Sequence, residues 1–170
     1  YPSSEDYTLG VGISDTPYGD VYDPTEWRAA EYYLYSEIEH LFEAVKIELG
    51  SSQCNYRIFG HSAGGQFTHR LLTFRSDARV FRAVAANSGW YTLPGDGGGD
   101  DANFFMPYGL QGGPVADTDV VQAFGRELVV LLGSEDTATV YEDPYLGDTA
   151  AANSQGTNRL ERGQFYFDLA

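Results

Sequence analysis

The feature that most constrains the fold is the segment Gly60–Gly65, with the sequence Gly-His-Ser-Ala-Gly-Gly. A run rich in β-formers, Tyr56–Phe59, precedes it, and apolar residues at helical spacing follow it. Gly-x-Ser-x-Gly between a strand and a helix is typical of a tight turn that presents the serine hydroxyl above the sheet. Glycines are expected there because strand and helix come too close for a Cβ. The sequence therefore predicts a strand, a sharp turn at Ser62 and a helix.

The rest of the chain alternates between helix and strand patterns. A helix is predicted from Pro24 to Leu49, because Asp23–Glu26 has the residues of a helix start and Gly50 those of a helix end. Further strands are predicted over Val80–Asn87 and Glu127–Leu132, and further helices over Val120–Phe124 and Asn153–Leu169. This alternation predicts one α/β domain, residues 1–170, with a mostly parallel sheet flanked by helices.

The apolar residues of the last predicted strand and helix indicate how each could pack. Glu127–Leu132 is almost continuously apolar, which is typical of a parallel strand covered on both faces. In the last predicted helix, Leu160, Phe165 and Leu169 lie at helical spacing.

Composition argues against several kinds of partner. The chain has 25 acidic and 10 basic residues, a formal net charge of −15. Such a field repels phosphate backbones and anionic lipids, so neither nucleic acid nor a membrane is an expected partner. The single cysteine, Cys54, excludes an internal disulfide. No zinc or phosphate-binding spacing is present, and Gly95–Asp101 lacks the alternating ligands of a calcium loop, so we expect no metal and no cofactor.

Ser62 is the candidate nucleophile, and the N–H of Ala63, at the predicted helix start, is a candidate oxyanion donor. A serine needs a base that is held in place by an acid. Asp136, just after the third predicted strand, is the preferred acid, with Glu135 and Asp143 as alternatives and a turn or capping role left open. Ser62 and Asp136 are expected at one sheet edge, roughly 7–10 Å apart, a gap that an imidazole bridges.

Three segments, IFGHSAGGQF, AVAANSGWYTLP and LVVLLGSEDT, resemble the α/β-hydrolase family, in particular its branch of polyhydroxybutyrate-depolymerase-like esterases. The resemblance extends from about Tyr7 to the end of the chain. It implies the α/β-hydrolase fold, with Ser62 as nucleophile, Asp136 as acid and Ala63 as one oxyanion donor. It also implies that the first strands of the sheet, with the second oxyanion donor, lie upstream of Tyr1.

The expected activity is hydrolysis of a small or polymeric carboxylic ester through an acyl-enzyme on Ser62. His61, inside the turn, is expected to support the site or line the substrate pocket. Trp90 and Tyr91 are expected to line the same pocket, with core packing as the alternative. The second hypothesis for function is a non-catalytic binding or scaffold protein that keeps the fold without a complete triad.

The three histidines, His40, His61 and His69, all precede Asp136 in the chain. His40 is expected to pack or cap on the first predicted helix, and His69 to face solvent. The catalytic base is therefore expected beyond Ala170, unless the chain is not a working enzyme. The first residue is not Met, and a helical pattern runs to the last residue, so we expect a segment that is truncated at both ends.

Overall fold

The structure, a computed structural model, describes residues 29–95 and 104–170, in which helices and strands alternate. The helices are α1 Leu34–Leu49, α2 Ala63–Phe74, α3 Asp117–Phe124, α4 Ala150–Ser154 and α5 Arg159–Leu169, and the strands are β1 Tyr56–His61, β2 Val80–Ala86 and β3 Glu127–Leu131. The three predicted strands are thus present, and α3 is longer than predicted. The helix start expected at Asp23–Glu26 and all but the first residue of Gly95–Asp101 lie outside the described residues.

The three strands form one parallel sheet in the order β1-β2-β3. His61 is level with Ala86, and Ala86 is level with Leu131. Because the strands run in the same direction, the residues that follow these three leave the sheet at one edge, called the carboxyl edge below. A mostly parallel α/β sheet flanked by helices, as predicted from the sequence, is confirmed.

Helix α2 covers one face of the sheet and forms the main core with it. The buried apolar residues of this core include Phe67, Leu71 and Leu72 of α2, Ala83 of β2 and Tyr35 of α1. On the opposite face Phe59, Val129 and Leu131 are exposed, among the residues that the structure describes. The expectation that β3 is covered on both faces is therefore wrong for this part of the chain.

Helix α1 begins later than the sequence pattern predicts. A 3-10 helix, Ala30–Tyr32, precedes it, and Tyr33 between the two is extended, with φ −70° and ψ 144°. The hydroxyl of Ser36 donates to the carbonyl of Ala30 at 2.6 Å, so a side chain occupies an acceptor that a continuous helix would use for its own N–H groups. The predicted end at Gly50 is confirmed, since Gly50 adopts the left-handed φ of 58° that closes many helices.

The C-terminal region contains two helices instead of the single one predicted over Asn153–Leu169. Each has its own side-chain cap: Thr149 accepts from the N–H of Ala152 at 3.1 Å, and Asn158 from that of Glu161 at 2.9 Å. The buried residues of α5 are Arg159, Arg162, Gly163 and Tyr166, whereas Phe165 and Leu169 are exposed and Leu160 is half-buried. The three residues at helical spacing are therefore not the buried ones, and buried Arg162 donates to the carbonyls of Gly156 and Gly89.

Candidate active site

Ser62 lies between β1 and α2 in a conformation that L-residues rarely adopt, with φ 54° and ψ −115°. Its N–H donates to the carbonyl of Ala86 at 2.9 Å, which extends the β1–β2 pairing by one residue. Its carbonyl accepts from the N–H of Gln66 at 3.0 Å, which closes the first turn of α2. The strand ends and the helix begins within one residue, as the sequence predicts.

Gly60 and Gly65 allow the two elements to come this close. A Cβ on Gly60 would lie 1.9 Å from the carbonyl oxygen of Gly64. A Cβ on Gly65 would lie 2.6 Å from Oγ of Ser88 and 2.8 Å from the carbonyl oxygen of Ala86. The backbone crowding that the Gly-rich sequence predicts is therefore present on both sides of Ser62.

Helix α2 begins at Ala63, directly after Ser62. The N–H groups of a first helical turn lack acceptors within the helix, and the positive end of the helix dipole lies there. Negative charge that develops beside the Ser62 hydroxyl would therefore be stabilised at this helix end. The assignment of Ala63 as an oxyanion donor stays a prediction.

Asp136 lies in the loop that leaves β3 at the carboxyl edge, so it shares that edge with Ser62. Its N–H donates to the carbonyl of Gly133 at 3.1 Å, and its own carbonyl accepts from the N–H of Leu160 in α5 at 3.3 Å. The Asp136 carboxylate is 3.6 Å from Nη1 of Arg159. The separation from Ser62 and the catalytic role of Asp136 stay predictions.

The alternative acids are arranged differently. In Asp143, Oδ1 accepts from the N–H of Tyr145 at 2.9 Å, and Oδ2 is 2.5 Å from Nη1 of Arg159. The N–H of Tyr145, together with Arg159, holds the pKa of Asp143 below its usual value. Both oxygens of Asp143 are therefore occupied, and Glu135 is exposed. Asp136 and Asp143 are both half-buried, but Asp136 has a single weak ion pair.

Asn87 is a residue at this edge that the sequence analysis missed. It follows β2 directly and has a left-handed φ of 43°. Its N–H donates to the carbonyl of Leu131 at 2.9 Å, and its Oδ1 accepts from the N–H of Gly133 at 2.8 Å. The available signal was an asparagine at the end of the predicted strand, directly before Ser88-Gly89, since asparagine tolerates a left-handed conformation better than most residues.

The prediction that His69 faces solvent is wrong, because this side chain is fully buried. Its Nδ1 is 3.0 Å from the carbonyl oxygen of Gly65, and its Nε2 accepts from the N–H of Thr92 at 3.1 Å. The ring thus carries its proton on Nδ1. Burial, with the nearby Arg70, lowers the pKa of His69 well below its ordinary value. Helical spacing alone failed here because His69 faces a loop that covers α2.

The other two histidines are exposed. His40 lies on α1 with Nδ1 3.6 Å from a carboxylate oxygen of Glu37, so it does not pack or cap as the sequence suggested. His61 is the last residue of β1, next to Ser62 at the carboxyl edge, and its role in binding substrate stays a prediction.

Trp90 and Tyr91 are almost fully buried in the described part of the chain. The guanidinium of Arg70 lies 4.0 Å from the centre of the Trp90 ring, and Tyr91 stacks on Tyr166 with ring centres 4.5 Å apart. These contacts are those of core residues, the alternative left open by the sequence. A role for either ring in binding substrate stays a prediction.

Within residues 29–95 and 104–170, no group of three or more His, Cys, Asp or Glu side chains is arranged to hold a metal ion. The same residues contain no helix that is both long and apolar enough to cross a membrane.

The solved structures that are similar to this chain include a poly(aspartic acid) hydrolase and a poly(3-hydroxybutyrate) depolymerase. One is poly(aspartic acid) hydrolase-1 from Sphingomonas sp. KT-1, with 36% identity and a TM-score of 0.81 over 99% of this chain and 58% of that one. The other is the poly(3-hydroxybutyrate) depolymerase from Bordetella parapertussis, with 27% identity and a TM-score of 0.80 over 99% of this chain and 52% of that one. No family model and no curated protein matches the chain.

The chain therefore spans a little more than half the length of these two proteins. The parallel sheet and the turn at Ser62 both support the same fold as the similarity to these two structures. Accordingly, the chain has the α/β-hydrolase fold and resembles the depolymerase-like branch of that family.

Proposed function

We propose that the protein is a serine hydrolase that cleaves carboxylic esters through an acyl-enzyme on Ser62. The single observation that carries the proposal is the strained backbone of Ser62 at the start of α2. Strain of this kind costs on the order of 1–3 kcal/mol, and it is retained in proteins mainly where function requires the geometry. The similarity to two hydrolases of polymers supports the reaction class.

In the proposed reaction, Oγ of Ser62 attacks the ester carbonyl while a base accepts its proton. The carbonyl oxygen then carries negative charge, which the N–H of Ala63 and the α2 dipole stabilise. The alcohol leaves with that proton, and water attacks the acyl-enzyme to release the acid and restore Ser62.

Asp136 is the proposed acid that orients the base. A triad aspartate must accept a hydrogen bond from the imidazole Nδ1–H, so it needs a free carboxylate oxygen. Asp143 has both oxygens occupied by Tyr145 and Arg159, whereas Asp136 has only the 3.6 Å contact to Arg159. This difference favours Asp136 over Asp143.

The base in this proposal is a histidine outside the 170 residues. Buried His69 uses both ring nitrogens in hydrogen bonds. His40 follows Glu39, whose carboxylate binds Arg79 just before β2, at the edge opposite Ser62. His61 is adjacent to Ser62 in the chain, where its ring cannot easily reach between Ser62 and Asp136. Both similar structures are much longer than this chain, which leaves room for a further histidine.

A second candidate reaction is hydrolysis of poly(aspartic acid). The observation that favours it is the 36% identity to a poly(aspartic acid) hydrolase. The charge of this chain, −15, opposes a polyanionic substrate unless a basic surface is supplied from elsewhere in the protein. We therefore prefer a neutral ester, and a comparison of the two substrates decides between them.

The test uses the full-length protein with p-nitrophenyl butyrate and with a fluorophosphonate that labels activated serines. Ser62→Ala should lower kcat by on the order of 10⁶-fold and abolish labelling, because the nucleophile is removed. Asp136→Asn should lower kcat by on the order of 10⁴-fold, because the imidazole would lose its orienting partner. Asp143→Asn should have a much smaller effect.

Ser154→Ala is the matched control, since Ser154 is an exposed serine whose hydroxyl bonds only within α4. It should retain full turnover. Turnover that survives Ser62→Ala would refute the proposal. An inert full-length protein would favour the non-catalytic alternative, and cleavage of poly(aspartic acid) but not of the ester would favour the second candidate.

A further inference from the structure

The central strand of the sheet ends between the two parts of the proposed site. Order β1-β2-β3 places the end of β2 between the Ser62 turn and the loop that carries Asp136. Asn87 is the first residue after β2, and its N–H pairs with the carbonyl of Leu131 in β3. Ser62 makes the equivalent bond from β1 to the carbonyl of Ala86. The three strand ends are therefore joined by two backbone hydrogen bonds at the same level.

The backbone of Asn87 does not continue as a strand. Its left-handed φ of 43° turns the chain away, and it directs the side-chain amide toward β3. Oδ1 of this amide accepts from the N–H of Gly133, the second residue after β3, at 2.8 Å. This bond ties the start of the loop that carries Asp136 to β2, the strand that lies beside Ser62.

Gly133 lies close to the side chains of both Asn87 and Asp136. A Cβ placed on it would be 3.4 Å from Nδ2 and 3.8 Å from Oδ1 of Asn87, and 3.7 Å from Cβ of Asp136. The Asn87 amide and the Asp136 side chain therefore flank the same small space. The Gly133 carbonyl in turn accepts from the N–H of Asp136 at 3.1 Å, so a short chain of hydrogen bonds leads from Asn87 to Asp136.

We propose that Asn87 is a positioning residue that sets the location of the Asp136 loop relative to Ser62 through its Oδ1 bond to the Gly133 N–H. This inference rests on the proposed function. Asn87 does not touch the reacting atoms in this proposal. Its left-handed backbone and its side-chain acceptor act together, because the backbone turn is what brings Oδ1 to Gly133.

The test separates the backbone turn from the side-chain acceptor in the full-length protein. Asn87→Gly retains the left-handed conformation at little cost and removes the acceptor. We expect kcat for p-nitrophenyl butyrate to fall on the order of ten- to a hundredfold with little change in KM, because a displaced acid misorients the base. Asn87→Asp retains an oxygen acceptor and tolerates the same φ, but it places a second carboxylate near Asp136, so its kcat should fall by less than that of Asn87→Gly without reaching the wild-type value.

Asn55→Gly is the matched control. Asn55 is an exposed asparagine that precedes β1 at the opposite edge of the sheet, so its replacement should leave kcat unchanged. Thermal melting of each variant identifies a folding defect. If Asn87→Gly does not fold at the assay temperature, all variants are compared at a lower temperature at which its melting curve shows it to be folded.

Wild-type kcat in Asn87→Gly would overturn the inference. It would also be overturned by equal losses in Asn87→Gly and Asn87→Asp, or by a loss that falls on KM instead of kcat. Ser62→Ala, run in the same assay, keeps the two proposals distinguishable. Turnover that persists in Ser62→Ala refutes the proposed function, whereas its loss beside an active Asn87→Gly refutes only the role of Asn87.

Discussion

At the scale of single residues, the candidate site depends on backbone conformations that most side chains do not favour. Ser62 and Asn87 are the non-glycine residues with positive φ in the described part of the chain, and both directly follow strands at the carboxyl edge. The backbone N–H of each donates a hydrogen bond to the neighbouring strand. Uncommon backbone conformations persist where the surrounding structure over-determines them, and their shared location supports the proposal that the site lies at this edge.

Gly60→Ala tests how much the fold depends on the crowding beside Ser62. The new Cβ would lie 1.9 Å from a backbone oxygen of Gly64, which cannot move away as a flexible side chain could. We expect the free energy of unfolding to fall by at least about 3 kcal/mol, measured by urea denaturation of the full-length protein.

Gly125→Ala is the control for this substitution. Gly125 has an ordinary helical φ of −73°, and its nearest neighbour to a new Cβ would be 3.3 Å away. The loss there should stay below about 1 kcal/mol. Equal stabilities for the two variants would mean that the turn relaxes and that the close approach is not required.

At the scale of helices and strands, buried arginines decide how the C-terminal helices dock. Arg162 of α5 is fully buried and donates to three acceptors: the carbonyls of Gly156 and Gly89 and Oδ1 of Asn153. Gly89 belongs to the segment after β2, so this one side chain links α5 and the end of α4 to the central strand. Apolar periodicity could not predict this packing, because the residue that faces inward is charged.

Arg162→Met tests this link. The substitution retains an apolar stem of similar length but leaves the buried carbonyl of Gly89 without a donor, which costs about 1–3 kcal/mol. It also removes the bonds to Gly156 and Asn153, which are less buried and lose less. We expect the free energy of unfolding to fall by roughly 2–4 kcal/mol, followed by urea denaturation.

Arg82→Met is the comparison, since Arg82 forms an ion pair with Glu127 in which both side chains are close to half exposed. An exposed ion pair contributes only about 0–1 kcal/mol, so this variant should be close to wild type. A larger loss at Arg82 than at Arg162 would contradict the structural role given to the buried residue.

At the scale of the whole molecule, stability is expected to depend on pH through a buried histidine that stays uncharged. His69 is buried between α2 and the segment that carries Thr92, and it is neutral with its pKa well below 6.5. Above pH 6.5 it is neutral in both folded and unfolded chains and contributes no pH dependence. Below pH 6.5 the unfolded chain binds a proton at this residue and the folded chain does not. The free energy of unfolding therefore falls as the pH is lowered.

We therefore expect the free energy of unfolding to fall between pH 6.5 and 5.5, with a contribution from His69 of up to about 1.4 kcal/mol per pH unit. Urea denaturation at several pH values measures this slope. His69→Gln, which can donate and accept hydrogen bonds but does not titrate, should have a flatter slope over the same interval. An unchanged slope would show that another group takes up the proton.

The sequence alone was sufficient for those features that depend on local geometry. The strand–turn–helix around Ser62 is predictable because only small residues fit where β1 and α2 meet, and the strand positions follow from short apolar runs. The left-handed end of α1 at Gly50 follows from the residue itself. The location of Asp136 at the carboxyl edge follows from the parallel sheet, since residues after parallel strands leave at the same edge.

Only the tertiary structure decided which polar side chains are buried and which residues join one strand end to the next. Periodicity assigned His69 to solvent, but a loop distant in sequence covers it and supplies the N–H of Thr92. Arg162 and Asn87 likewise bond to residues 73 and 46 positions away, at Gly89 and Gly133. The physical reason is that a polar side chain is buried where a partner satisfies its hydrogen bonds, and that partner is set by the fold and not by neighbouring residues.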